Sequence, residues 1–135
     1  MGTRSTTKIY YEKEFIMGLY KQDDGDTNSW GTELKNFINK CIIVNGISSI
    51  KEEEAKKNNK ILCNGIGCFA LQLVKEFKNE CGGLYATNEN NNQEYNYIIK
   101  FEGVENDKDK IEYFIKLSCI EDNNFKFRYK MDYGL

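Results

Sequence analysis

Five stretches of this chain alternate apolar and polar residues with a period of two, and that alternation restricts it to a sheet with one buried face. Over residues 6–12, Thr7, Ile9 and Tyr11 fall on one side and Lys8 and Tyr10 on the other. Over 14–21, Phe15, Met17 and Leu19 oppose Ile16 and Tyr20, and a tight turn near Glu12-Lys13-Glu14 would join the two as a β-hairpin. Three more such stretches follow towards the C-terminus. Tyr95, Tyr97, Ile99 and Phe101 share one face; Ile111, Tyr113, Ile115, Leu117 and Cys119 share another; Phe125, Phe127 and Tyr129 alternate with Lys126, Arg128 and Lys130. The polar tract 88–93 and the segment 105–110 separate them as surface tips.

Between the hairpin and these strands the period changes to that of a helix. Leu34, Phe37, Ile38 and Cys41 form one stripe in a helix expected over roughly 30–41, with N-cap candidates in the polar run from Asp23 to Ser29. Ile66, Phe69, Ala70, Leu73, Val74 and Phe77 form a second stripe, with Lys75 and Lys78 near the C-terminal end and Gly82-Gly83 beyond it. Residues 50–60 are charged and read as a solvated helix or a connecting loop ended by Asn58-Asn59. The expected fold is α+β: an antiparallel sheet of five or six strands with two main helices packed on one face. A length of 135 residues suits a single globular domain, residues 1–135, because either half alone would have too small a core.

Composition removes several functions. The chain has no histidine, so a Ser-His-Asp or Cys-His centre within one chain is excluded, as is a histidine-ligated metal. An enzyme would have to work with carboxylates, lysine, tyrosine or an unassisted thiol. The net charge of −2 gives no overall basic field, so there is no strong nucleic-acid signal. No apolar run approaches the length of a membrane span, and there is no secretory leader. Five cysteines read as reduced thiols of an intracellular, cytoplasmic protein. Met1-Gly2 with Thr6 also fits the permissive N-myristoylation pattern.

Four motifs are chemically suggestive. Asn64-Gly65-Ile66-Gly67 immediately precedes the second helix, where backbone N–H groups can cradle a phosphate or carboxylate; the same glycines can equally serve a tight turn. Cys68 lies in the first turn of that helix, and Cys63, Cys68, Cys81 and Cys119 supply four thiols whose spacing is not that of a zinc ribbon. Asp23, Asp24 and Asp26 surround Gly25 and read either as oxygen ligands for a divalent cation or as turn and capping carboxylates. Lys126, Arg128 and Lys130 make a basic strand face of a kind that can bind single-stranded nucleic acid, but the alternating aromatics point to the core, so the stripe reads first as guarding an edge strand or sheet surface.

Taken in order, Met1-Gly2-Thr3-Arg4-Ser5, Tyr20-x-Gln22-x-Asp24-Gly25, Gly31-x-Glu33-Leu34-x-x-Phe37, Asn64-Gly65-x-Gly67-Cys68, Gly82-Gly83-x-Tyr85 and Glu94-Tyr95-x-Tyr97 resemble a group of small proteins from bacteriophages and giant DNA viruses. The resemblance covers about residues 1–101. The group carries Tyr-Pro after Asp-Gly, where this chain has Asp26-Thr27. The resemblance implies a viral origin and a place inside a host cell, and it brings no established activity with it.

The leading expectation is a non-enzymatic viral accessory protein that binds a host protein or a small anionic, nucleotide-like ligand, with homo-oligomerisation open. Its candidate contacts are Arg4, Tyr20, Gln22, Asp24, Asn64, Gly65 and Gly67, polar or glycine positions on or beside predicted loops. No cofactor and no catalytic residue is assigned. The alternative is a metal-assisted hydrolase or nuclease built on Asp23, Asp24 and Asp26.

Overall fold

The computed structural model describes residues 2–131; Met1, which opens the Met-Gly pattern, lies outside them. Strands β1 (Ser5–Tyr11) and β2 (Glu14–Lys21) are followed by a single π-helical turn (Thr27–Gly31), α1 (Thr32–Lys40), β3 (Cys41–Val44) and α2 (Ser49–Lys57). Then come β4 (Ile61–Asn64), α3 (Gly65–Phe77), β5 (Leu84–Thr87), β6 (Tyr95–Glu105), β7 (Ile111–Cys119) and β8 (Asp122–Lys130). Six strands form the main sheet in the order β5-β2-β1-β6-β7-β8, and β3 pairs with β4 in a second, two-stranded sheet.

The class is α+β as expected, but the main sheet is mixed rather than purely antiparallel. β1 and β2 form the predicted hairpin, with Ile9 opposite Met17 and Glu12 at φ 55° in the connecting turn. β1 then pairs in parallel with β6 over its whole length, from Ser5 opposite Tyr95 to Tyr11 opposite Phe101. A parallel neighbour requires a long crossover, and the segment from Gln22 to Glu94, holding all three helices, provides it. Period-two alternation is the same in either direction, so it could not distinguish the two pairings.

The helices also depart from the expected boundaries. α1 starts after the π-turn, and no side chain of the Asp23–Ser29 run caps it. It ends at Lys40, so Cys41 opens β3 instead of completing the helical stripe with the buried Leu34, Phe37 and Ile38. The charged stretch is α2, capped by the Ser48 hydroxyl, which accepts from the Lys51 N–H at 3.3 Å, and closed by Asn59 at φ 55°. α3 matches its predicted stripe; Gly82-Gly83 lies beyond Lys78, its C-cap, and turns the chain into β5. Among the described residues, no helix is long and apolar enough to cross a membrane.

One face of the main sheet supplies the core through Ile9, Leu19, Tyr97, Ile99, Phe101, Ile115, Leu117 and Phe125. α3 reaches it where the Phe69 and Phe101 rings meet at 5.3 Å, and α1 brings Phe37 against Phe69 and Phe77. Trp30, 1% exposed, donates its indole N–H to the Thr7 hydroxyl at 2.8 Å. The Tyr97 hydroxyl donates to the Gly25 carbonyl at 2.7 Å. Together these two bonds fasten the Asp23–Ser29 loop to the sheet. Gly25 is needed there for close approach: a Cβ would stand 2.6 Å from the Ser5 Cβ and 2.9 Å from the Thr3 carbonyl oxygen.

Candidate functional site

β3, α2, β4 and α3 form a small β-α-β-α unit, and its two strands run parallel, with Val44 beside Asn64. The carboxyl ends of both strands therefore lie together. Ligands of open α/β sheets sit at that end, where a following helix begins. Here the chain passes from β4 into α3 with no intervening loop. Gly65, the first helical residue, takes φ +81°, a conformation open to glycine at little cost. The Asn64 carboxamide oxygen accepts from the Gly46 N–H at 2.7 Å, so it braces the turn after β3 and does not cap α3.

No side chain caps α3, and its first turn contains no acid. The leading N–H groups of a helix have no intrahelical partner, and here they also carry the positive end of a 13-residue helix dipole. Gly67, in that turn, is exposed, and a Cβ there would meet nothing within 4 Å. The fold therefore imposes no need for glycine at 67. Beside this turn, between α2 and β4, lies a cavity of about 480 Å³ lined by Ile47, Lys56, Lys60, Leu62, Asn64 and Cys68 among others. That is large enough for a nucleotide-sized ligand.

Three thiols stand behind this cavity. Cys41 and Cys63 share one face of the β3–β4 pair, and Cys68 follows in α3. Hydrogen bonding to Cys63, with burial, pushes the Cys41 thiol well above the ordinary range. The same contact, with another from Cys68, lowers Cys63 against the opposing effect of burial. A first thiolate in this cluster is thus stabilised by its neighbours. Cys63 is nevertheless 0% exposed, and the chain has no histidine to serve as its base, so this thiol is not presented to an external substrate; Cys68, partly exposed, is the member of the cluster that lines the cavity. Cys81 is exposed and Cys119 buried, and the four cysteines weighed as zinc ligands are not gathered. Among the described residues, no group of three or more Cys, Asp or Glu side chains is arranged to hold a metal ion, Asp23, Asp24 and Asp26 included.

The seven predicted contact residues fall into two groups. Asn64, Gly65 and Gly67 share the start of α3. Arg4, Tyr20, Gln22 and Asp24 lie around the start of β1 and the end of β2, where Gly25 donates to Thr3 and Thr6 pairs with Tyr20. Trp30, which follows that loop, packs edge-on against Phe77 at the far end of α3. The length of α3, about 20 Å, therefore separates the two groups. In the second group the Tyr20 and Tyr85 rings lie 6.1 Å apart, and the Tyr85 hydroxyl donates to Gln22 at 3.4 Å. Arg4 and Asp24 contribute backbone carbonyls, to the Tyr95 and Trp30 N–H groups respectively. The hollow nearest them, beside Trp30 and Gly82-Gly83, measures only about 190 Å³. Sequence reasoning missed Lys56, Lys60 and Ile47 as cavity residues, because only the β3–β4 pairing brings the charged helix against β4.

Comparison with protein-family models, with curated proteins and with solved structures finds no match.

Proposed function

We propose that this chain is a non-enzymatic accessory protein of viral type that binds a small anionic ligand of nucleotide character at the start of α3. The observation that carries the reading is Gly67: an exposed first-turn glycine that the packing does not require, beside a 480 Å³ cavity and an uncapped helix N-terminus. Glycine inside a helix costs up to about 1 kcal/mol relative to alanine, and at this position the return is unobstructed access to backbone N–H groups. Asn64 and Gly65 shape the turn, while Lys56 and Lys60 outweigh Glu52 in the charge of the wall. In this reading α1 and α3 both pack on the sheet face that carries Ile9, Tyr97 and Ile99. A host protein is the second reading, favoured by Ile47 and Ile50, which are 54% and 70% exposed in the segment that borders the cavity.

The test is Gly67→Glu, examined by calorimetric titration with ADP and with inorganic phosphate. Glutamate at the third position of a helix suits the dipole and the capping geometry, so the variant should melt no lower than wild type. The same carboxylate should repel an anion and weaken ADP at least about tenfold, or 1.4 kcal/mol. ADP binding that survives Gly67→Glu unchanged, or no heat with either probe for the wild type, would overturn the small-ligand reading and favour the host protein. Native mass spectrometry of protein purified from cells gives an independent readout of any co-purifying ligand.

A further inference from the structure

On the face of the main sheet opposite the core, strands β6, β7 and β8 are in continuous register and present three rows of side chains. Ile98, Ser118 and Lys126 form one row; Lys100, Lys116 and Arg128 the next; Glu102, Phe114 and Lys130 the third. The middle row places three cations directly opposite one another on adjacent strands, an arrangement that destabilises a sheet. Glu102 relieves part of it, at 2.6 Å from Lys116 and 3.8 Å from Lys100. Glu112 approaches Lys130 at 3.5 Å. Neither Lys126 nor Arg128 forms an ion pair among the described residues, and the Arg128 guanidinium lies 3.7 Å over the Phe114 ring. Five cations against two glutamates give this face a charge of +3 in a chain whose total is −2.

The neighbouring part of the same face is closed. Lys8 on β1 is 5% exposed and donates to Asn92 at 2.7 Å, so the polar tract before β6 folds over it. Lys116, Lys126 and Arg128 remain exposed around a shallow hollow of about 350 Å³ between β7 and β8, and Lys130 is exposed farther along β8.

We propose that the outer face of β6–β8 binds single-stranded nucleic acid. A local arrangement that opposes folding with no structural gain is characteristic of a functional surface. Here the missing counter-charge is a polyanion. Lys126, Arg128 and Lys130 recur about every 6.6 Å along β8, and the rows lie about 4.8 Å apart, which suits a repeating phosphate backbone in extended form. Phe114 and the guanidinium stacked on it give the surface a flat π-plane that a base can cover, a contact an acidic peptide would not use. A duplex is read by a helix or a ribbon entering its groove, and this flat three-stranded face offers neither. This inference is independent of the cavity at α3.

Fluorescence anisotropy with labelled oligothymidylate of about 20 nucleotides tests it. Binding should be present at low salt and weaken on added salt with a log–log slope near −2, for about three phosphates neutralised. The double variant Lys126→Glu/Arg128→Glu should bind at least about tenfold more weakly with an unchanged circular dichroism spectrum, and the neutral Lys126→Gln/Arg128→Gln should fall between it and wild type. No anisotropy change with the wild type, or equal affinity in the reversed variant, would overturn the proposal. So would tighter binding of duplex of the same length, or displacement by polyglutamate as effective as by unlabelled oligonucleotide; the last would assign the face to an acidic polypeptide.

Discussion

The Trp30–Thr7 hydrogen bond shows how a single polar pair can fix a whole loop. Both residues are essentially inaccessible, at 1% exposure each, so the indole N–H has no water to turn to. Thr7→Val keeps the shape and removes the acceptor, which leaves a buried donor unsatisfied at a cost of about 1–3 kcal/mol. Thr7→Ser keeps the oxygen and loses only a methyl group, so it should cost less. Chemical denaturation of the two variants checks the order; a Val variant as stable as wild type would show that the bond contributes nothing. Tyr97 follows the same logic, since burial pushes its hydroxyl far above the usual range and it remains a donor to Gly25. Gly25 and Gly67 separate cleanly at this scale. A Cβ at 25 would collide with Ser5, whereas at 67 it would meet nothing, and the sequence alone presents both simply as glycines in loops.

At the scale of elements, the β6–β7 ladder has a titration signature. Hydrogen bonding to Lys116, opposed by burial and reinforced by the charges of Lys116, Lys100 and Arg128, holds the Glu102 carboxyl below the ordinary glutamate range. A carboxylate with a lowered native pKa adds stability above its unfolded pKa and loses it as pH falls through the native one. Glu102→Gln should therefore lower Tm at neutral pH, by the equivalent of up to about 1 kcal/mol given that this side chain is 15% exposed. The deficit should vanish near pH 2. Melting curves across that range decide it, and a deficit that persists in acid would assign the effect to packing. Long elements were legible in the sequence because each buries one face: the β1–β2 hairpin, α3 and the last three strands all follow their apolar periods. The four-residue strands were not. Cys41-Ile42-Ile43-Val44 is a continuous apolar run attached directly to α1, and such a run reads as well as the end of a helix. With β3 unseen, the β3–β4 pair was unseen, and so was the cavity that it builds beside Asn64. The motif at 64–67 was legible as the start of a helix, whereas the separation of Arg4, Tyr20, Gln22 and Asp24 from it depends on where α3 crosses the molecule.

For the whole molecule, the decisive feature is that β1 pairs on one side with its sequence neighbour and on the other, in parallel, with β6. The chain cannot complete its central strands until residues some ninety positions apart have met. Everything between them, including the β3–β4 unit, hangs on the core that this pairing closes: Phe69 on Phe101, and Phe37 and Trp30 on Phe77. A separately folding N-terminal half is therefore not expected, and unfolding should be a single cooperative transition. The chain's one tryptophan makes the test direct, because Trp30 sits where the Asp23–Ser29 loop, β1 and α3 converge. Fluorescence of Trp30 and far-ultraviolet circular dichroism should give superimposable denaturation curves. If the dichroism falls first, at a denaturant concentration where Trp30 remains buried, helical structure is lost as its own unit. The element to look to is α2, whose only buried residue is Ala55. The cavity beside α2 would then stand on a wall that opens independently of the core. If the proposed ligand binds in the cavity between α2 and β4, it should close that gap by mass action, bringing the two curves together as its concentration rises, and curves that stay apart at saturating ligand would count against binding there.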